Sequence, residues 1–431
     1  MAPTIFPVEL PTTFSNAVSV VVIGSGIVGL SAALTLAERG LSVTVFEKGR
    51  LAGEQSSRNL GWVRKTNRNA ADVPLAQAAE RLWIGMPERT GMDVGFRQAG
   101  IMFAASTDAQ LAIYEGWRAS VSGLGLDSRI LSNREIAALV PGGARTWKGG
   151  LYTPSDARAE PTLACSALAK AAIARGVTII ENCAVRSLSL AAGKVAGVVT
   201  ERGEVACEQV LLAGGLWSRR FLGNLGVALP TLPVICSVMR TAPMEGPTDI
   251  AFGAENFSFR KRMDGGFTLT QRGRLEAPLT LDHLRIGMRY LGQLRSQRGV
   301  LKVRLGGEFL RQAKLARHWS PQDVTPFEKI RTIDPAASES INAEALRNLC
   351  AAYPVFRDAK IVESWAGMID VTPDSEPVIA RIPKIPGLVV ATGFSGHGFG
   401  TGPAAGHLAA DLISGDTPIV APAPYRFERL Q

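Results

Sequence analysis

Two glycine-rich stretches, VVVIGSGIVGL at 20–30 and GFSGHGFGTG at 393–402, are the parts of this chain whose residue types and spacing point most directly to chemistry. Val18 to Ile23 is a continuous apolar run of the kind that forms a buried parallel strand, and Gly24-Ser25-Gly26-Ile27-Val28-Gly29 follows at once. Helix formers run from Ser31 to Arg39 with Leu34 and Ala37 at core spacing. Gly40 ends them, and a second strand from Ser42 to Phe46 stops at Glu47. In such a strand–turn–helix, Gly24 makes the tight turn, Gly26 lets a pyrophosphate approach the backbone, and Gly29 lets helix and strand pack closely. The phosphates sit on the helix N-terminus, where unpaired N–H groups and the helix dipole favour negative charge. Glu47, followed by Lys48, offers a carboxylate to an adenosine ribose and repels a 2′-phosphate, which disfavours NADP. The fingerprint by itself serves NAD and FAD alike.

The second stretch points to a flavin. An apolar run, Gly387 to Ala391, leads into it, and a helix is expected from Pro403 to Ile413. Small residues there expose successive backbone N–H groups at a helix N-terminus, a site for partial negative charge. A reduced flavin collects such charge on the pyrimidine side of its ring, so the loop is read as holding that ring. His397 stands inside the loop, between two of its glycines. No metal-ligand spacing is present among the four histidines, His283, His318, His397 and His407, and none is expected.

The elements that must position these residues follow from the same patterning. Residues 50–70 read as a polar, basic loop, Leu75 to Trp83 as a helix, and Gly100 to Ala105 as a strand of a different, antiparallel sheet. Glu160-Pro161 opens a helix to Ala174, and Val177–Ile180 and Gln209–Ala213 resume the buried-strand pattern. The fold class expected is α/β: a Rossmann-like cofactor domain over 17–90, 150–220 and 360–425, interrupted by an α+β substrate domain over 91–149 and 221–359.

Composition sets the frame. At 431 residues with 46% hydrophobic and 20% charged content, the chain suits a globular enzyme of two or three units. The start lacks a basic region followed by an apolar run, no stretch is long enough to span a bilayer, and five cysteines form no CxxC pair. A cytoplasmic protein with reduced thiols is expected. The net charge of +9 is concentrated, with nine Lys/Arg and one acid, Glu308, between 285 and 317. Leu284, Met288 and Leu291 fall at helical spacing there, and no interleaved aromatics suggest nucleic acid. A subunit or membrane-surface contact is the expectation for that segment.

With both glycine loops placed, the chain resembles the FAD-dependent D-amino acid oxidase superfamily, and within it the sarcosine oxidase branch. The likeness rests on GSGIVG with Glu47, SSRNLGWVR at 56–64, AGGLWS at 213–218, and WAGMIDVTPDSEPVI at 365–379 with GFSGHGFGTG. It implies that Ser57, Arg58, Asn59 and Gly61 line the pyrophosphate and flavin, with Trp62 either covering the ring or packing in the core. It implies that the main chain of Val185 meets the adenine and that Ala213, Gly214 and Trp217 pass beside the cofactor. Gly396, His397, Gly398, Phe399, Gly400 and Thr401 would bond the pyrimidine edge. The activity implied is oxidation of the C–N bond of a secondary amine or N-substituted amino acid, with hydride passing to the flavin and O2 as acceptor. The alternatives are a D-amino acid dehydrogenase feeding a quinone and a flavin subunit of a larger complex.

The departures from that family are specific. Ile369 stands where relatives clamp a carboxylate with arginine, Gly367 where others tether FAD through cysteine, and Gly400 where some keep lysine. Arg64 is expected to supply the missing cation. His397 and Asp370 are further catalytic candidates, Asp370 facing the substrate amine. Arg260 and Lys261 lie where the family often places a cation over the ring. Because Gly367 has no side chain to offer, FAD is expected to be non-covalent, and acid precipitation of the holoprotein should leave yellow supernatant over a colourless pellet. Flavin retained by the pellet would overturn this.

Overall fold

A computed structural model describes residues 3–292 and 299–431. Its first sheet has six strands in the spatial order Val378–Arg381, Leu388–Thr392, Gln209–Leu212, Val20–Ile23, Val43–Phe46, Thr178–Ile180. All pairings in it are parallel except that of the Val378–Arg381 edge. The strands are nearly continuous in Val, Ile and Leu because both faces are covered. Val20 and Val22 point into one apolar cluster with helices Ile27–Glu38, Pro161–Ala174 and Gly398–Ser414. Val21 points into another, with Val185, Trp217 and Phe327. The three central strands end in Gly24, Glu47 and Ala213, so their carboxyl ends bring the two halves of the first motif together.

The second sheet has ten strands, mostly antiparallel, with parallel pairs at Ala251–Gly253 beside Ile101–Ala105 and at Leu275–Pro278 beside Leu301–Arg304. One face carries Phe252, Phe259, Phe267, Tyr353 and Phe356, a set of edge-on and tilted rings beneath helix Glu339–Ala352. The long strand Ile361–Val371 pairs antiparallel with Leu232–Thr241 from Val371 opposite Leu232 back to Ile361 opposite Thr241. Gly149–Thr153 and Ile361–Val371 therefore belong to this sheet, across the boundaries expected at 150 and 360. Side-chain alternation gives a strand's burial, and only its pairing partner says which sheet it joins.

Two other expectations are corrected. The last helix begins at Gly398, five residues before Pro403, so Gly398 to Thr401 form its first turns and Pro403 lies inside. The basic segment is not one helix. Leu281–Ile286 gives way to a 3-10 turn at Gly287–Tyr290, then comes strand Leu301–Arg304 and helix Gly307–Lys314, while 293–298 lie outside the described residues. Two glycines so close together weaken helix propagation there.

The helices Ile27–Glu38 and Gly398–Ser414 meet backbone to backbone. A Cβ on Gly406 would stand 2.6 Å from the Val28 carbonyl oxygen and 2.7 Å from the Ala32 nitrogen, and one on Gly402 would stand 2.8 Å from Ile27 Cγ2. Gly406→Ala forces the helices apart at backbone atoms, an overpacking cost of about 1–3 kcal/mol. Thermal unfolding of the apoprotein should show Tm lowered by several degrees, on the scale of roughly 2–4 °C per kcal/mol. Gly223→Ala, in helix Ser218–Asn224 with nothing near its added Cβ, should leave Tm unchanged or raise it.

Candidate active site

A cavity of about 460 Å³ runs between the sheets, from Phe46, Glu47 and Val185 at one end to Phe394, Gly396 and His397 at the other. Local geometry explains its glycines. Gly24 has φ +104°, and a Cβ there would lie 2.5 Å from the Ala213 carbonyl oxygen; at Gly29 it would lie 2.1 Å from that of Gly24. Gly24, Gly26, Ile27 and Val28 line the cavity, and so do Ala213, Gly214 and Trp217.

Glu47 is turned back over the loop. One carboxylate oxygen accepts from the Ser25 N–H and hydroxyl at 3.0 Å each, and the other accepts from the Gly49 N–H at 2.9 Å. Burial pushes its pKa up, against the pull of Lys48 and those N–H groups. Lys48 lies 4.4 Å over the Trp217 ring and pairs with Glu54 at 2.9 Å. Arg58 reaches Asp334, the Ala366 carbonyl and the Gly53 carbonyl, and its Nε is buried without a partner among the described residues. Asn59 accepts from the Gly61 N–H at 2.8 Å, shaping the turn before Trp62. Lys48, Arg58, Asn59, Trp62, Val185 and Gly396 to Gly400 all line the cavity, whereas Ser25, Gly29, Ser57, Gly61 and Thr401 lie behind its wall.

The far end differs from expectation in several places. The Asp370 carboxylate accepts from the Gly393 N–H at 2.8 Å and the Thr392 hydroxyl at 3.2 Å. Burial pushes its pKa up. It lines the cavity but fastens the turn after the last parallel strand, so its hydrogen bonds are directed at that turn. Arg260 and Lys261 do not line the cavity. Arg260 is buried in an ion pair with Glu160 at 2.7 Å, against the glycine at 61, and Lys261 pairs outward with Asp249 at 3.5 Å. His397 lines the cavity, and burial followed by Arg68 and Arg64 holds its imidazole well below its usual pKa, hence neutral.

The cations at this end are Arg64, Arg68 and Arg272. Arg64 Nη1 donates to the Thr66 and Asn67 carbonyls, and its guanidinium lies 5.7 Å from the Phe103 ring. Burial, with Arg68 and Arg272 nearby, lowers its pKa to about 9. Arg272 lies 4.3 Å from the Phe103 ring and 5.9 Å from that of Trp62, and burial lowers it to about 10. Its Nη1 and the Trp62 Nε1 are buried donors without a partner among the described residues. The missing Cβ of Gly253 makes room, since it would stand 2.2 Å from that Nη1. Sequence reading missed Arg272; its signal is its place in the turn after the Phe267–Thr270 strand, next to the one that carries Arg260.

The arrangement fits FAD: a glycine turn at a helix N-terminus, a carboxylate at the end of the next strand, and a cavity continuing to a second helix N-terminus. The FAD dependent oxidoreductase family, DAO, matches residues 19–412. The chain belongs to this family. It is 28% identical to a glycine oxidase of Pseudomonas aeruginosa over 94% of this chain and 97% of that protein. To the sarcosine oxidase subunit beta of Rhizobium meliloti it is 24% identical, over 96% and 88%. Among solved structures, the L-amino acid deaminase from Proteus myxofaciens superposes with a TM-score of 0.96 at 30% identity, covering 100% of this chain and 97% of that one. The protein is thus an FAD-dependent oxidoreductase of the class that acts on amino acids or amines.

Glu47→Ala should weaken FAD binding by about 1–3 kcal/mol, the scale of losing hydrogen bonds to a charged acceptor. Equilibrium dialysis measures it, and a full flavin complement after extended dialysis would remove Glu47 from the ribose.

Proposed function

We propose that this protein oxidises the C–N bond of an α-amino acid, primary or N-substituted, whose carboxylate binds Arg272. The observation that carries this is the Arg272 guanidinium, which lines the cavity beside Trp62 and has no carboxylate partner among the described residues. A buried cation without a counter-ion is costly. A guanidinium in the wall of a cavity is suited to a carboxylate that arrives with the substrate. Arg64, engaged by backbone carbonyls, adds positive charge rather than a free fork. Phe103 and Trp62, packed edge to face at 5.6 Å, form an apolar wall beside it. The relative solved with anthranilate, an aromatic carboxylate, agrees with such a site.

Bound FAD supplies the hydride acceptor. The chain supplies position and dryness: Arg272 and Trp62 fix the carboxylate, neutral His397 adds no charge against the amine, and the helix N-terminus at Gly398 favours negative charge on the ring. No side chain at this end is arranged as a nucleophile with its base, consistent with hydride transfer from a neutral amine.

Arg272→Met should lower kcat/KM about 30- to 1000-fold for amino acids, the scale of a lost charge-assisted bond to a buried carboxylate. Amines lacking the carboxylate should be little affected and FAD content normal. Equal loss on both substrate types would remove Arg272 from the carboxylate.

A second reading concerns the electron acceptor. Met288 and Leu305 are 75% and 76% exposed, and Leu284, Val303 and Leu310 are exposed too, amid the arginines and lysines of 285–317. Apolar side chains set in a basic field suit an anionic membrane surface and hence a lipid-soluble acceptor. Flavin bleached by substrate that stays bleached in air, and recolours with a quinone, favours this reading. Peroxide release at the rate of turnover favours O2.

A further inference from the structure

Arg68 touches both chain segments that flank the ring end of the cavity. It is buried and lines the cavity, and its three guanidinium nitrogens end on three different elements. Nε donates to the Arg64 carbonyl at 2.7 Å, Nη2 to the His397 carbonyl at 3.4 Å, and Nη1 to Asp72 Oδ2 at 2.6 Å. Its own carbonyl accepts from Trp117 Nε1 at 2.5 Å. The first contact fixes the loop carrying Arg64, and the second fixes the residue that precedes the last helix. The third anchors the guanidinium to the start of helix Val73–Ile84. Trp83 Nε1, which donates to the Gly400 carbonyl at 2.8 Å, also joins helix Val73–Ile84 to the last helix, and Arg68 adds the contact that reaches the Arg64 loop and the His397 carbonyl together.

Behind Arg68 the acids are incompletely satisfied. Asp72 Oδ1 and Glu376 Oε2 are both buried without a partner among the described residues. Glu376 belongs to the TPDSEP turn, whose Asp374 and whose Glu376 carbonyl are held by Arg429 at 2.7 and 2.6 Å. The groups that face Glu376 are Asp72, Asp374, Arg68, Arg429 and Tyr425, and those that face Asp72 are Arg68, Arg64, Glu376 and Tyr425. Tyr425, whose hydroxyl donates to the Ala71 carbonyl at 3.3 Å, feels both acids. Two carboxyl groups with an orphan oxygen each, facing one shared guanidinium, are most stable when one proton remains on the pair.

We propose that Arg68 is a positioning residue that ties the Arg64 loop to the flavin loop, and that the buried acids Asp72 and Glu376 behind it make that tie weaken as pH rises. This rests on reading 396–401 as the flavin loop. Burial, then Asp72 and Asp374, push the Glu376 carboxyl up from the ordinary carboxylate range to about 7. Below that pH the pair carries one charge, which Arg68 balances. Above it a second carboxylate draws Arg68 toward the acids and away from its longest contact, the His397 carbonyl. The stability linked to Glu376 is present below its unfolded value and is lost as pH rises through the folded value.

Two measurements test this, the first without flavin. The apoprotein Tm of wild type should fall relative to Glu376→Gln between pH 5 and 8, the variant coming out higher by roughly 2–4 °C at pH 8. Parallel curves would overturn the acid pair. The second is FAD dissociation by equilibrium dialysis. Wild type should weaken several-fold from pH 6 to 8, and Glu376→Gln should not. Arg68→Met should weaken FAD roughly tenfold at both pH values, as expected for a lost charged hydrogen bond. Arg68→Lys, keeping one charge but not three contacts, should recover only part. An Arg68→Met protein that folds and binds FAD like wild type would overturn the tie. If FAD binds neither wild type nor variants, the flavin-loop reading has failed, while the apoprotein comparison still decides the acid pair.

Discussion

The structure depends on two helices lying close enough for their backbones to touch. Ile27–Glu38 and Gly398–Ser414 begin beside different strands of one parallel sheet, and both present an N-terminus to the same cavity. That holds only because Gly402 and Gly406 have no Cβ where the helices cross, as any side chain there would meet Ile27, Val28 or Ala32. The N–H groups of both ends are thereby fixed at a constant separation. A long, two-ended anionic cofactor requires that separation more than it requires any one side chain. Gly400, whose Cβ would stand 2.8 Å from the Trp62 carbonyl oxygen, extends the same principle to the loop on the other side.

Charge around the cavity follows a second constraint. The carboxylates around it are each engaged by donors of the chain: Glu47 over the first loop, Asp370 on the Gly393 turn, Asp72 on Arg68. The far end of the cavity holds Arg64 and Arg272 against aromatic faces, with the neutral His397 near them. Aromatic quadrupoles offset part of the cost of burying a guanidinium, and a substrate carboxylate offsets more. Arg64 and Arg272 pair with no carboxylate among the described residues, a charge balance that favours an anionic ligand over a plain amine.

The sequence was legible where function is carried by short contiguous stretches. Gly24, Gly26, Gly29 and Glu47 are interpretable in line because the strand, turn and helix they serve are adjacent in the chain. The same is true of the glycine loop at 393–402 and of Ile369 and Gly367, whose side chains rule out particular contacts by their chemistry alone. Arg64 was legible through its loop, and the structure adds that its guanidinium is engaged by Thr66 and Asn67. The start of the last helix was misplaced because Pro403 reads as a first-turn residue, whereas packing against Ile27 and Val28 carries the helix through it.

What the sequence determined by itself was the strand–glycine turn–helix unit at 20–38, the other buried-strand segments and the two glycine loops, since each depends on neighbours a few residues away. Only the tertiary structure decided which cations serve the cavity. Arg260 and Arg272 are twelve residues apart, yet one is neutralised by Glu160 and the other lines the cavity with no carboxylate partner among the described residues. Arg68 likewise reads as one more base in a polar loop, and only folding brings the distant His397 carbonyl to it beside its near neighbours Arg64 and Asp72. A guanidinium's role is set by whether a carboxylate lies within reach after folding, and that distance is not written in the order of the residues.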